Sequence, residues 1–167
     1  MIARALNVLR FVERTAAAGL LVILVAIVFA GAVGRYGGHP VIWSDEVAQA
    51  LFIWVSMLAA DLTLQRHGHF SIDILASLLP VRARFILDMV VILLLAALLA
   101  LLILNGFRFA SMTAGRPMPM LGLPSSVATA ALPVGFALMM VTLIEQAIHR
   151  IRHRDEPPAD HNASEVM

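Results

Sequence analysis

Four long apolar stretches occupy most of this 167-residue chain. Charged residues are absent from four intervals: Thr15–Gly34, Val47–Ala60, Met89–Phe107 and Pro117–Ile144. A helix needs about 20 residues to cross the ~30 Å hydrocarbon core of a bilayer, and the second interval reaches that length by continuing through Asp61 to Leu64. The sequence therefore predicts an all-α polytopic membrane protein. Its four transmembrane helices are expected at about 15–36, 45–65, 85–108 and 123–147.

The composition leaves little room for a water-facing domain. Charged residues make up 14% of the chain, against about 25% in soluble domains. The polar segments Gln65–Asp88 and Arg150–Met167 are too short to bury a core of their own. We expect one membrane domain over residues 1–154 and a disordered cytoplasmic tail over 155–167. Because the chain has no Cys, disulfides, thiolate metal sites and a cysteine nucleophile are excluded.

The basic residues, all of them Arg, lie mainly on one side of the predicted membrane. Nine precede the first span, separate the second from the third, or follow the fourth: Arg4, Arg10, Arg14, Arg66, Arg82, Arg84, Arg150, Arg152 and Arg154. The two remaining loops hold only Arg35, Arg108 and Arg116. Since cytoplasmic loops carry the excess of Arg, both termini are expected in the cytoplasm.

Two short amphipathic helices are expected to lie along the membrane surface. In the N-terminal segment, Ile2, Leu6 and Leu9 share one face. Between the second and third spans, the helical spacing of the apolar residues over Ser71–Leu79 favours a similar element. A cleavable signal peptide is the alternative for the N-terminus. The first uncharged run is longer than the 7–15 residues typical of such signals, which favours an uncleaved helix.

The start of the second span carries a group of polar and aromatic residues. Ser44 is expected to cap the helix, and Asp45 and Glu46 would occupy its first turn, where the helix dipole favours carboxylates. Trp43 is expected at the depth of the lipid headgroups. These features explain the group structurally. Pro133, inside the fourth span, removes one backbone hydrogen bond and predicts a kink near Gly135.

Asp61 is the acid that helix packing alone does not predict. It lies roughly 22 Å from Glu46 along the second helix, near the cytoplasmic edge of the membrane. A carboxylate at that depth needs contact with water or a charged partner. Four arginines are candidate partners: Arg14, Arg66, Arg82 and Arg84. A third interpretation is a carboxylate that couples transport to a proton or ion. Such groups usually lie nearer the midplane with polar companions.

The sequence lacks the residues expected of a catalytic or metal centre. His67, His69 and Asp73 are too few for a zinc site without a second cluster. All six His lie outside the apolar stretches, which excludes axial haem ligands within the spans. No cofactor, catalytic residue or solute-binding residue is expected. The scarcity of polar groups near the midplane indicates a helper subunit rather than an independent transporter.

Several short motifs and their order along the chain resemble the small membrane subunit (DctQ type) of tripartite ATP-independent periplasmic (TRAP) transporters. The resemblance extends from Arg35 to Gly135. Its motifs are Arg35 closing the first helix, Trp43-Ser44-Asp45-Glu46 opening the second, Trp54 within it, Gly68-His69-Phe70-Ser71-Ile72-Asp73, Leu79-Pro80, Leu123-Pro124 and Pro133-Val134-Gly135. Asp61 departs from the pattern, because small apolar residues are expected in that segment.

The resemblance implies a non-enzymatic scaffold in the bacterial inner membrane. Its expected partners are a large multi-spanning permease that carries the solute and sodium sites, a periplasmic solute-binding protein and membrane lipid, with no nucleic acid. The solute would be an organic acid with a carboxylate. Arg35, Trp43, Asp45, Glu46 and Trp54 are the candidate assembly or partner contacts, and His69 and Asp73 would shape the cytoplasmic turn.

Two other functions stay open at this point. A small self-oligomerising secondary transporter would use Asp61 as its coupling carboxylate. A membrane anchor for a redox or signalling enzyme would need a soluble partner on the Arg-rich face.

Overall fold

The computed structural model describes residues 2–66 and 81–152, and these form an all-α protein with four long helices. The helices are α1 (Ile2–Tyr36), α2 (Ser44–Arg66), α3 (Val81–Thr113), the single turn α4 (Ser126–Thr129) and α5 (Ala131–Arg152). Four segments are long and apolar enough to cross a membrane: Leu6–Tyr36, Ser44–Gln65, Phe85–Thr113 and Ser126–Arg152. The prediction of four transmembrane helices is confirmed. The predicted amphipathic N-terminal segment is continuous with the first span, because α1 runs without a break from Ile2.

The long helices pack in a row rather than around a common centre. α1 packs against α2, α2 packs against α5, and α5 packs against α3. Long helices that follow one another in the chain run in opposite directions, so the row neighbours α2 and α5 are parallel. Along the helix axes, the protein therefore has two opposite ends. The end that holds the start of α1 and the end of α5 is called the terminal end below. The opposite end, called the loop end, holds the connection from α1 to α2 and residues 114–125.

One stripe of α1 carries its contact with α2. The stripe's members recur at steps of three and four residues, which keeps them on one face of a helix. They are Glu13, Ala17, Leu20, Leu24, Ile27, Gly31 and Gly34, and all are buried or half-buried. Of the small residues Ala26, Ala30 and Gly34 that share a four-residue step, only Gly34 lies in this stripe, and both alanines are exposed.

Two glycines allow the remaining helices to approach closely. A Cβ at Gly106 of α3 would lie 3.2 Å from the backbone nitrogen of Pro133 in α5. A Cβ at Gly135 of α5 would lie 2.7 Å from Cβ of Met57 in α2. Since Cβ atoms essentially never come that close, α5 can occupy its place between α2 and α3 only with glycine at position 135.

The chain enters α5 through a compact hairpin and a broken helix. Met118 N–H donates to the Leu123 carbonyl at 2.7 Å, and Ser125 N–H donates to the Arg116 carbonyl at 2.9 Å. Gly122 has a φ of 65°, the left-handed region that glycine adopts without strain. Helix α4 ends at Thr129, Ala130 is its C-cap, and α5 begins at Ala131. Pro133, which lacks an N–H, lies in the first turn of α5, where that group is unpaired anyway.

Most large apolar side chains point outward. Val22, Phe29, Leu93 and Leu104 are each more than 60% exposed. In water this surface would be unfavourable, whereas in a bilayer the same side chains face hydrocarbon at no cost. The fold is that of a multi-pass membrane protein with wide apolar faces on either side of a row of helices.

Candidate functional site

Glu46 fastens the hairpin of residues 114–125 to the start of α2. Its two carboxylate oxygens accept the backbone N–H of Met120 at 3.0 and 3.1 Å, and one of them also accepts the N–H of Leu121 at 3.0 Å. Hydrogen bonds to a charged acceptor are stronger than those between neutral groups. Glu46, expected as a candidate partner contact, therefore lies in an internal clamp at the loop end.

Replacing Glu46 with alanine is expected to release this hairpin. Met120 and Leu121 lose the acceptor of their N–H groups, so their amide hydrogen exchange should accelerate by about tenfold or more, which corresponds to roughly 1.5–3 kcal/mol for bonds to a charged acceptor. Hydrogen exchange with mass spectrometry on the purified protein measures this change. The matched control is Asp45→Ala, because Asp45 precedes Glu46 and its carboxylate accepts from Arg35. Equal acceleration in both variants would contradict the clamp.

The other predicted residues at the loop end are more accessible. The Arg35 guanidinium donates to Asp45 at 3.0 Å, and both side chains are about 70% exposed. Such an exposed pair contributes little to stability, about 0–1 kcal/mol. Trp43 is half-exposed. Ser44 is buried, and its hydroxyl donates to the Val41 carbonyl at 2.7 Å instead of capping the helix as expected.

Trp54, about two helical turns further along α2 than Glu46, has an internal partner. Its indole N–H donates to the carbonyl of Val127 in α4 at 3.0 Å. That bond and the hydroxyl contact between Thr113 and Thr129, 2.7 Å, hold the short helix α4 between α2 and α3. Helix α4 precedes the break at Ala130, so these two bonds fix the entry into α5.

A buried polar network connects three helices at the terminal end. Asp61 of α2 is 1% exposed, and its two oxygens accept hydrogen bonds from Thr142 of α5 at 2.9 Å and from Gln65 at 2.7 Å. The same Gln65 nitrogen also donates to Glu13 of α1 at 2.6 Å. Glu13 is 5% exposed. One amide therefore joins two neighbouring carboxylates that come from different helices.

Asp61 therefore lies in a setting that the sequence did not indicate. The side chains described as its partners are an amide and a hydroxyl, where an arginine or water was expected. The side chain of Arg66 lies outside the described part. Every buried side-chain nitrogen and oxygen that the structure describes has a hydrogen-bond partner. Within this part of the protein, the polar groups are matched to one another across helix contacts.

Further polar contacts surround this network and reach all four long helices. Arg10 of α1 pairs with Glu145 of α5. Gln146 donates to the Leu64 carbonyl of α2 at 2.8 Å. Arg150 of α5 is buried and pairs with Asp88 of α3 at 2.8 Å. At the terminal end, side-chain bonds connect the helices, whereas midway along their axes the helices contact one another through apolar packing.

Sequence reasoning missed most of the network's members. Its residues Glu13, Gln65 and Thr142, like the neighbouring Gln146, stand far apart in the chain, and none belongs to a recognisable motif. One signal was available for Glu13. It begins the stripe of three- and four-residue steps that places α1 against α2, so its carboxylate is directed toward the helix contact.

Two predicted residues, His69 and Asp73 of the proposed cytoplasmic turn, lie outside the described residues. So do the expected interfacial helix at Ser71–Leu79 and the tail over 155–167. Within residues 2–66 and 81–152, no group of three or more His, Asp or Glu side chains is arranged to hold a metal ion. The contacts described here connect helices and leave no carboxylate of the network unbonded.

Comparison with known proteins decides the family. Residues 24–153, most of the chain, match the family described as tripartite ATP-independent periplasmic transporters, DctQ component. The chain belongs to this family. The resemblance of its motifs to DctQ-type subunits is therefore confirmed.

Relatives of this DctQ member include both long and short permease proteins. It is 30% identical to the isethionate TRAP transporter permease protein DctMQ of Oleidesulfovibrio alaskensis, over 81% of this chain and 22% of the relative. It is 34% identical to the sialic acid TRAP transporter permease protein SiaT of Haemophilus influenzae, over 75% and 21%. It is 29% identical to the small permease protein SiaQ of Vibrio cholerae, over 68% and 65%. The chain thus spans about a fifth of the length of the two long relatives.

Proposed function

We propose that this protein is the small permease subunit of a TRAP transporter and acts as a non-catalytic scaffold. The observation that carries the proposal is the network at the terminal end, where the buried polar groups of α1, α2 and α5 bond to one another. Carboxylates that hold helices together are suited to a rigid support. The DctQ family match supports the same role.

The proposed partner is a large multi-spanning permease that carries the solute and ion sites. Two relatives support this choice, because the chain corresponds to only 22% and 21% of permease proteins that are single chains. The rest of each of those two relatives corresponds to the proposed partner. A periplasmic solute-binding protein would deliver the solute. Arg35, Trp43 and Asp45, which are exposed at the loop end, are the residues proposed to face these partners.

The proposed transport is sodium-driven uptake of an organic acid with a carboxylate. The relatives' names give isethionate, sialic acid and C4-dicarboxylates as their solutes; the last two carry a carboxylate, and isethionate carries a sulfonate in its place. We place the protein in the bacterial inner membrane with the Arg-rich terminal end in the cytoplasm, following the positive-inside rule. Specificity for the solute would reside in the partners, and no enzymatic step, cofactor or nucleic acid is involved.

The experiment that tests this function is affinity purification of the tagged chain from native membranes in mild detergent. Intact-mass measurement identifies what is purified with it. We expect one large membrane protein in a one-to-one ratio with the tagged chain. A homo-oligomer without such a protein would contradict the scaffold function and favour the small self-sufficient transporter. Purified protein that moves solute by itself in liposomes would do the same.

A further inference from the structure

The two outer helices of the row, α1 and α3, carry charge-free stretches of nearly equal length. In α1 the stretch lies between Arg14 and Arg35, and in α3 it lies between Asp88 and Arg108. Each contains about 20 residues and is roughly 30 Å long, which matches the thickness of the hydrocarbon core of a bilayer. Each stretch is therefore long enough to cross the core by itself.

Three close contacts between neighbouring helices give the heights of these stretches. Height is measured along the helix axes, from Ser44 toward the terminal end. In each contact, a Cβ on the glycine would lie 2.7–3.2 Å from Cβ or the backbone nitrogen of the other residue: Gly31 and Ser44, Gly135 and Met57, and Gly106 and Pro133. Two residues that lie side by side in this way have nearly the same height. At 1.5 Å per residue, Gly106 of α3 therefore lies roughly 16 Å further toward the terminal end than Gly31 of α1.

The charged residues that border the charge-free stretches lie progressively further toward the terminal end from α1 to α3. At the terminal side, in the row order α1, α2, α5 and α3, the heights are roughly 26, 33, 35 and 44 Å for Arg14, Arg66, Glu145 and Asp88. At the loop side of α1, α2 and α3, they are roughly −6, 3 and 14 Å for Arg35, Glu46 and Arg108. Asp61, which is charged and lies within the stretch of α2, is buried and bonded to other helices. The charge-free surface thus shifts by roughly 18–20 Å across the row.

The polar contacts at the terminal end show the same displacement independently. Glu13 of α1 belongs to the network that bonds Thr142 of α5. Arg150, eight residues further along α5, pairs with Asp88 of α3 at 2.8 Å. Because eight residues of a helix correspond to about 12 Å, Asp88 lies well beyond Glu13 in the same direction.

A bilayer perpendicular to the helix axes does not fit these heights. All four helices are charge-free together only between Arg108 and Arg14, over roughly 12 Å, which is less than half of the ~30 Å core. Both arginines are exposed, and neither has a hydrogen-bond or ion-pair partner among the residues that the structure describes. A perpendicular core that covered the stretch of α1 would enclose Arg108, and one that covered the stretch of α3 would enclose Arg14. Either placement is unfavourable, because it surrounds a guanidinium group with hydrocarbon.

We propose that the bilayer crosses the row obliquely, so that its hydrocarbon core covers residues 15–34 of α1 and residues 89–107 of α3. Neighbouring helices pack 8–10 Å apart, so at most about 30 Å separates α1 from α3. A shift of roughly 18–20 Å over that width tilts the helices by about 30° or more from the bilayer normal, against about 20° on average. Arg14 and Arg108 then lie at opposite borders of the core, among headgroups whose phosphates pair with guanidinium groups. This placement follows from the chain's own charges and does not depend on its partner.

Depth measurement with spin labels tests the proposal. Because the chain has no Cys, a single introduced cysteine can carry a nitroxide. Val25→Cys and Met112→Cys place labels on α1 and α3 at nearly equal heights of roughly 8–9 Å, and Val8→Cys and Leu93→Cys do so at roughly 35 Å. The four side chains are 60%, 74%, 63% and 72% exposed in that order. In proteoliposomes of the full chain, the ratio of collisions with oxygen to collisions with a water-soluble nickel chelate gives the depth of each label.

We expect the order of depths to reverse between the two pairs. The label at Val25 should lie about 15 Å deeper than the label at Met112, whereas the label at Leu93 should lie about 15 Å deeper than the label at Val8. Equal depths within both pairs would overturn the proposal, because they require a bilayer perpendicular to the axes. A deeper label on the same helix in both pairs would also overturn it. Two further exposed pairs at matched heights replace any pair whose label lowers the unfolding midpoint: Val22 with Phe109, and Phe11 with Leu98.

Discussion

Replacing Gly135 with leucine is expected to destabilise the row of helices more than any exposed substitution. A Cβ at this position would lie 2.6 Å from Cε and 2.7 Å from Cβ of Met57. The Cε end of that side chain can rotate away, but its Cβ is fixed to the backbone of α2. Relief therefore requires α2 and α5 to separate, and the packing between them would be lost along with the bonds on either side.

The expected size follows from overpacking in other cores, which costs about 1–3 kcal/mol. For a chain of this length that corresponds to a fall of roughly 2–12 °C in the unfolding midpoint. Intrinsic fluorescence of Trp43 and Trp54 during heating in detergent measures it. Trp54 is a suitable reporter, because its indole bonds the Val127 carbonyl and so senses the position of α4.

Gly19→Leu is the matched control for this experiment. Gly19 lies in α1 on the exposed side, and nothing lies within 4 Å of a Cβ built there. The same side chain should therefore leave the midpoint unchanged or raise it slightly, since leucine favours a helix over glycine. An equal fall in both variants would show that close approach at Met57 is not the cause.

The number and type of the helices could be predicted from the sequence, because hydropathy and length dominate in a bilayer. The charge-free interval Met89–Phe107, for example, allows nothing other than a span within α3. The start of α2 at Ser44 was also predicted, although its hydroxyl donates where it was expected to accept. Lateral order was not predicted. Apart from isolated polar residues such as Asp61, the four spans are apolar all round, so hydropathy does not predict that α5 lies between α2 and α3.

The environment of Asp61 could not be predicted for a related reason. Its partner Thr142 is 81 positions away, and Glu13, joined to it through Gln65, lies 48 positions earlier. These residues meet only once the order of the helices is set. The same holds for Glu46, whose partners Met120 and Leu121 present backbone N–H groups that carry no signal in the sequence.

Substitution of Asp61 is expected to separate the two functions that the sequence left open. Asp61→Ala removes the acceptor of Thr142 and one of the two acceptors of Gln65, and burial keeps water from replacing them. Leaving a buried donor without a partner costs about 1–3 kcal/mol. We expect a lower unfolding midpoint and less assembled complex. Thr142→Val is the control that removes one donor and keeps the carboxylate, so its effect should be smaller.

Asp61→Asn is the more informative variant, because it keeps the shape and one carbonyl oxygen while removing the charge. In a scaffold, that oxygen still accepts the Thr142 hydroxyl, and Gln65 keeps Glu13 as an acceptor although the new amide nitrogen no longer accepts from it. The loss of charge also relieves repulsion with the neighbouring carboxylate of Glu13. Uptake per assembled permease should then match that of the unmodified protein, even if less complex forms. A coupling carboxylate would behave in the opposite way, since an amide cannot release a proton or balance a bound cation.

The measurement is uptake into proteoliposomes, divided by the amount of large permease recovered with the chain. A ratio within about twofold of the unmodified protein assigns Asp61 to the helix contacts at the terminal end. A loss of a hundredfold or more in a fully assembled complex would make Asp61 part of the transport step and contradict the scaffold function. Asp61→Ala cannot make this distinction, because it removes the bonds and the charge together. Asp61→Asn is therefore the variant that distinguishes a scaffold residue from a coupling carboxylate, because it removes the charge and keeps the bond to Thr142.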